Sequence, residues 1–224
     1  MRITKYNQAC LLIDTNGIRI LVDPGVIGYN DSLLDEWSNI DLILVTHKHM
    51  DHFNKEAILE IIKRDKASLY TTKEVIDEYS LKDVIEVKVG DIINFKNIKI
   101  EVTKAIHGYL YGMRENNIEI TYNVGYIMDD AKTRLYITSD TIGFYNTYKC
   151  DILCMPFNGN GLTLGLVDGV SFIKGINPKI VLPIHTEHPN PIMNPNIKNL
   201  KETLEKNNLN YKILDLKETF TYNE

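Results

Sequence analysis

Cysteine, tryptophan and long apolar runs are all scarce in this chain, and each shortage removes a class of protein. Three cysteines occur, Cys10, Cys150 and Cys154. An odd number cannot close into a full disulfide framework, and the C-x3-C spacing of the last two matches neither a redox C-x-x-C nor a zinc-ribbon pair. They read as buried, reduced thiols. Apolar runs such as 42–45 and 152–155 fall far short of the roughly 20 residues a spanning helix needs, so no membrane insertion is expected. The run 9–13 stops at Asp14, too short for the apolar core of a secretion signal, and the expected location is cytoplasmic. Positive charge is also in deficit: 25 Lys and Arg against 30 Asp and Glu leave a net charge of −5. Nucleic-acid backbones are held mainly by clustered Lys and Arg, so nucleic acid is not an expected partner. Linkers, low-complexity tracts and repeats are missing too, and 224 residues at 44% apolar content read as one domain over 1–224.

What is present alternates between two periods. Residues 2–6, 10–14, 18–22 and 41–46 are β-rich, with Asn16-Gly17 as a tight hairpin turn. The spacing then becomes helical over 54–64, where Ala57, Ile58, Ile61 and Ile62 share a face and Asn54 is placed as N-cap; a second helix fits 72–79. Strands are expected again at 84–89, 98–103, 119–128, 134–138, 152–155 and 179–184. A helix is expected at 167–176, and Asn194-Pro195 opens another carrying Ile197, Leu200 and Leu204. Strands at 211–216 and 220–222 would close an α/β body of two β-rich halves flanked by helices.

The chemistry concentrates in Thr46-His47-Lys48-His49-Met50-Asp51-His52. Four potential metal ligands crowd into six residues, just past an apolar strand where a rigid sheet can fix their geometry. An isolated histidine is usually a satisfied core or surface residue, but three of the chain's six lie in this segment. Leaving such a group unpartnered at the end of a buried strand is costly, so the density points to metal. Imidazole mixed with carboxylate selects zinc, with manganese or iron as alternatives. His107, Asp140 and His185 each follow a predicted strand as His47 does, and could complete a site for two ions. Taken singly, Asp140 and His107 also read as turn residues.

These residues resemble the metallo-β-lactamase superfamily of binuclear hydrolases. Asp23 in Val22-Asp23-Pro24-Gly25 matches its first motif, Thr46–His52 its T-H-x-H-x-D-H signature, and His107, Asp140 and His185 the remaining three. The resemblance implies that His47, His49 and His107 hold one metal, that Asp51, His52 and His185 hold the other, and that Asp140 bridges them. Asp23 would orient a ligand histidine. It also implies a four-layer αβ/βα sandwich in which two β-sheets are flanked by helices. Departures within the superfamily narrow the reading. His52 directly after Asp51 differs from true β-lactamases, and His49 stands where flavodiiron oxygen reductases carry a carboxylate. Asp140 lies 33 positions after His107 and 39 residues follow His185, too few for the nucleic-acid-clamping insert or for the helical domain of hydroxyacylglutathione hydrolases. The compact stand-alone branch, with its ascorbate-6-phosphate lactonase-like proteins, is the better match.

The activity implied is cleavage of a small lactone, ester, thioester or phosphodiester by a hydroxide held by two divalent ions, with Asp51 and Asp140 as the catalytic carboxylates. The loop 155–165, with Asn158 and Gly159, is a candidate substrate loop, although its glycines first read as a strand-to-helix turn. His188 is read chiefly as a rim residue and secondarily as a proton donor. Tyr29, Tyr109 and Tyr145 read as packing before pocket lining, and Lys104 and Arg114 as solvated charges beside His107. Two other readings stay open: a nuclease or RNA-processing enzyme, needing a basic groove, and a metal-binding protein without turnover. The oligomeric state is not fixed by the sequence.

Overall fold

The structure, a computed structural model, describes residues 1–110 and 120–223. Arg114 and the start of the strand expected at 119 lie outside the described residues. Two compact units are present: Met1–Lys88 together with the chain from Leu214, and Val89–Ile213.

The first unit is a seven-stranded sheet in the order β13-β1-β2-β3-β4-β5-β6. It comprises β1 (Arg2–Lys5), β2 (Leu11–Thr15), β3 (Ile18–Val22), β4 (Leu42–Leu44), β5 (Ser68–Thr71), β6 (Ile85–Glu86) and β13 (Thr219–Thr221). Asn16 and Gly17 both take positive φ, +50° and +75°, as the tight turn between β2 and β3 requires. β3, β4 and β5 run parallel. Leu42, Ile43 and Leu44 are fully buried, each stabilising the fold by about 1.5–3 kcal/mol. Helices α1 (Ser32–Glu36), α2 (Lys55–Asp65) and α3 (Lys73–Tyr79) cover the sheet. Their apolar faces supply Leu33, Ala57, Ile58, Ile61 and Val75 to a core shared with Leu12, Leu21, Ile43 and Leu69. Asn54 caps α2 as the sequence predicts, its side chain accepting from the Ala57 amide at 3.1 Å.

The second unit is a six-stranded sheet in the order β12-β11-β10-β9-β8-β7. Its strands are β7 (Ile92–Phe95), β8 (Ile98–Lys104), β9 (Val124–Asp129), β10 (Arg134–Ile137), β11 (Ile152–Pro156) and β12 (Ile180–Ile184). β10, β11 and β12 are parallel to one another; β8 and β10 are each antiparallel to β9, so four strands share one direction. Helices α4 (Leu166–Ile176) and α5 (Ile197–Lys206) bury Phe172, Ile173, Ile176, Leu200 and Leu204 against Leu153, Met155 and Val181.

The α/β class with two sheets flanked by helices is as expected. Several boundaries differ. The strand expected at 84–89 shrinks to two residues, and β7 forms instead from Ile92–Phe95, whose half-exposed alternation hid it. The strand expected at 211–216 is a single bridge, Tyr211 to Val181. The chain there turns back so that the Asp215 amide donates to Glu218 and the Lys217 amide to the Lys5 carbonyl. Asn196, not Asn194, caps α5, accepting from the Asn199 amide at 3.0 Å. Cys10 and Cys154 are buried free thiols, whereas Cys150 is only half-buried. No helix among the described residues is long and apolar enough to cross a membrane.

Candidate metal centre

In the first unit the functional residues follow the carboxyl ends of two adjacent parallel strands, β3 and β4. Such an edge is where α/β sheets characteristically place ligands. Asp23 comes directly after β3 with φ +46°, and its amide donates to the Leu44 carbonyl at 3.0 Å, locking the end of β3 to β4. Its carboxylate is a buried hub. Oδ1 accepts the Thr46 amide at 2.8 Å, while Oδ2 accepts the Thr46 hydroxyl and the His52 Nδ1–H, both at 2.8 Å.

This network fixes two histidine tautomers. The single proton of the Thr46 hydroxyl goes to Asp23, so the contact at 2.9 Å between Thr46 Oγ1 and His47 Nδ1 must be donated by His47. His47 therefore presents the lone pair of Nε2, and His52, donating through Nδ1 to Asp23, does likewise. Carboxylate-backed imidazoles of this kind are the common arrangement in metal sites. His47 Nε2 lies 3.2 Å from His49 Nδ1. Two nitrogens each about 2.0–2.1 Å from a tetrahedral zinc would be about 3.3 Å apart, so the pair fits one ion. A ligand atom of Asp51 comes within 4.8 Å of one of His52, placing a carboxylate beside the second imidazole.

Gly25 makes this loop feasible. A Cβ there would meet the Asp51 carbonyl oxygen at 2.0 Å, so only glycine lets the segment after Asp23 pass against the ligand loop. The Asn54 amide donates to the Pro24 carbonyl at 2.8 Å and ties the start of α2 to the same turn.

In the second unit His107, Asp140, Asn158 and His185 follow the carboxyl ends of the four co-directional strands β8, β10, β11 and β12. Asp140 Oδ2 lies 3.8 Å from His107 Nε2 and 3.4 Å from His185 Nε2, so one carboxylate oxygen sits near both imidazoles. Buried Asn123 steadies this end. Its Nδ2 donates to the Asp140 carbonyl at 2.6 Å, and its Oδ1 accepts the Ser139 hydroxyl at 2.6 Å. Nothing in the sequence pattern marked Asn123. His185 has φ +60°, and Asn158 Nδ2 holds it there by donating to its carbonyl at 3.0 Å and also to the Met193 carbonyl. Asn158 thus fastens a candidate ligand. His107 Nδ1 bonds the Gly108 carbonyl, again directing Nε2 toward Asp140.

The glycine-rich loop behaves as a turn. Gly159 and Gly161 have φ of +65° and +82°, and the Leu162 amide donates to the Gly159 carbonyl at 3.0 Å. It packs on Gly108, where a Cβ would meet the Gly161 carbonyl oxygen at 1.8 Å. His188 is engaged locally: its Nδ1 accepts the Asn190 amide at 3.0 Å, and Asn194 bonds its backbone on both sides. Tyr29 packs against Trp37 at 6.0 Å between centroids, and Tyr145 lies under the Lys104 ammonium at 4.9 Å.

Comparison with known proteins identifies the lineage. The beta-lactamase superfamily domain matches residues 2–185, from β1 to the last candidate ligand. The chain belongs to this superfamily. The chain is similar to a UPF0173 metal-dependent hydrolase of Bacillus cereus, 30% identical over a 199-position alignment that covers 83% of this chain and 85% of that one. A metal-dependent hydrolase of Parabacteroides distasonis, known from a crystal structure, superposes with a TM-score of 0.77 at 25% identity, covering 96% of this chain and 92% of that one. A metallo hydrolase of the archaeon Ignicoccus hospitalis shares the superfamily fold with a TM-score of 0.81 at 18% identity over 99% of both chains.

Proposed function

We propose that this chain is a metal-dependent hydrolase in which the two ligand sets act together on a pair of divalent ions, zinc foremost, with manganese and iron as alternatives. His47, His49 and His107 would hold one ion, Asp51, His52 and His185 the other, and Asp140 both. The observation that carries this reading is the buried Asp23 hub. A carboxylate that orders two imidazoles so that both offer Nε2 is an arrangement for coordination, and it is expensive to bury for any other purpose.

When bound, the ions would lower the pKa of a coordinated water toward about 7 and polarise the scissile carbonyl or phosphoryl group. The chain's own part is positional. Asp23 and Thr46 keep His47 in its Nδ1–H tautomer, Asp23 does the same for His52, and Asn158 holds His185 in place. The Asp51 carboxylate would accept a proton from the attacking water, and Asp140 would orient it. No serine or cysteine nucleophile is required.

The substrate we propose is a small lactone, ester, thioester or phosphodiester. The nuclease reading is disfavoured by charge pairing: Lys48 bonds Glu74 at 3.2 Å and Arg64 bonds Asp65 at 2.7 Å, so both cations are already neutralised by a carboxylate. Purified protein loaded with zinc or manganese, assayed on panels of lactones, thioesters and phosphodiesters beside RNA and single-stranded DNA, decides between them. Small substrates should have the higher kcat/KM. Faster cleavage of a polymer would favour the nuclease, and absence of turnover by fully loaded protein would favour a non-catalytic metal protein.

A further inference from the structure

Positive φ in a non-glycine residue is costly, and in this chain most such residues sit at exposed turns or helix ends, such as Asn16, Lys66 and Asn177. Among the described residues only four are buried: Gln8, Asp23, Ser139 and His185. Three of these belong to the candidate centre or adjoin it. Asp23 is the hub, His185 is a candidate ligand, and Ser139 precedes Asp140. Gln8 is the fourth, at φ +57°, and no role has been given to it.

Two further observations set Gln8 apart. It is fully buried, yet neither atom of its side-chain amide has a hydrogen-bond partner among the described residues. A primary amide carries two donors and a two-lone-pair acceptor, and leaving all of them unmet in the interior costs stability that a leucine would not. Its place in the sheet is equally specific. Gln8 lies in the turn between β1 and β2, closed by the Tyr6 amide donating to the Cys10 carbonyl at 2.8 Å. β2 pairs antiparallel with β3 with Leu11 opposite Val22, so the start of β2 lies at the edge where β3 ends in Asp23. The turn that carries Gln8 is therefore at the end of the first sheet where the candidate ligands follow β3 and β4. Strain, an unsatisfied buried amide and this location coincide at one residue, as is typical where a fold gives up stability for function.

We infer that Gln8 is a further substrate-binding residue, its amide reserved for a polar oxygen group of the bound substrate. Nε2–H would donate to a carbonyl, carboxylate or phosphoryl oxygen, and Oε1 would accept from a hydroxyl where the substrate has one. The inference rests on the hydrolase reading for the identity of the ligand, but not for the state of the amide.

Gln8→Leu in the metal-loaded protein tests it, with Gln8→Met as a second variant should the branched side chain not pack. Removing the amide should leave metal content unchanged and raise Tm by about 2–4 °C. It should lower kcat/KM at least about tenfold, and weaken the binding of acetate and inorganic phosphate, used as product-like probes, by a similar factor. A fall in Tm in both variants would overturn the inference, because the amide would then be completed by fixed internal water. Unchanged kinetics and unchanged anion binding would overturn it equally. If the wild type turns over nothing, the hydrolase reading fails on its own. The anion arm then decides: weaker binding in the variants supports Gln8, and equal binding overturns it.

Discussion

The two units organise their candidate ligands in different ways. The first draws four candidate ligands from one six-residue segment and organises them around a single carboxylate, Asp23, which bonds Thr46 twice and His52 once. The second draws three candidate ligands from three separate strand ends and steadies two of them individually, Asp140 through Asn123 and His185 through Asn158. A shared hub concentrates risk, so one substitution should disorder several ligands. Separate supports distribute it, so each substitution should affect one.

The largest expected effect lies in the second unit and concerns a candidate ligand, not a support. Asp140→Ala should lower kcat/KM by at least ~100-fold at matched metal loading while the thermal transition stays within a few degrees, because β10 keeps its buried apolar residues. Wild-type turnover in this variant would reduce Asp140 to a turn residue.

The supports give the sharper contrast. Asp23→Asn should weaken metal binding by about 10–100-fold, since its single acceptor oxygen cannot serve both the Thr46 amide and the Thr46 hydroxyl–His52 pair, which use different carboxylate oxygens. Asn158→Ala removes bonds to backbone carbonyls and leaves the His185 ring its freedom to coordinate, so its loss in affinity should be below about tenfold. Competition against a chromophoric chelator measures both. Equal losses would dissolve the distinction between hub and separate supports.

Gly25 in the first unit and Gly108 in the second are each fixed by close backbone approach, and here the units should behave alike. Gly25→Ala and Gly108→Ala should each destabilise by about 1–3 kcal/mol in denaturant titrations, because the added methyl meets a carbonyl oxygen that belongs to rigid backbone.

The smallest effect is chemical. Burial pushes the Cys10 thiol well above its usual range, with the Asp23 charge adding to it. Burial likewise raises the Cys150 thiol to about 12 and pushes Cys154 up further. A raised pKa keeps the neutral thiol until pH nears that value, so at pH 8 only roughly one Cys150 in 10⁴ is thiolate. Native protein should resist iodoacetamide at pH 8. As pH rises, half-buried Cys150 should react first, with Cys10 and Cys154 protected until unfolding.

The same contrast explains what the sequence revealed. The first unit's candidate ligands were legible because they are contiguous and follow an apolar run, so density alone drew attention to them. Those of the second unit were legible only as single residues after predicted strands, and needed the family pattern to be joined. The supports were hardest. Asp23 had a motif, but Asn123 is a lone amide whose importance arises from tertiary hydrogen bonds, and Gly25 matters through a backbone approach made by residues 26 positions away. Element boundaries failed where burial was partial: β7 alternates between exposed and half-exposed residues, and the stretch after Tyr211 carries strand-like residues yet pairs at one position only.

Counting the metal tests the central claim most directly. Elemental analysis of gently purified protein, repeated after equilibration with excess zinc or manganese and removal of loosely bound ions, should give two divalent ions per chain, because seven ligand candidates exceed what one tetrahedral ion can use. A value that never rises above one would contradict the proposal that both ligand sets act together.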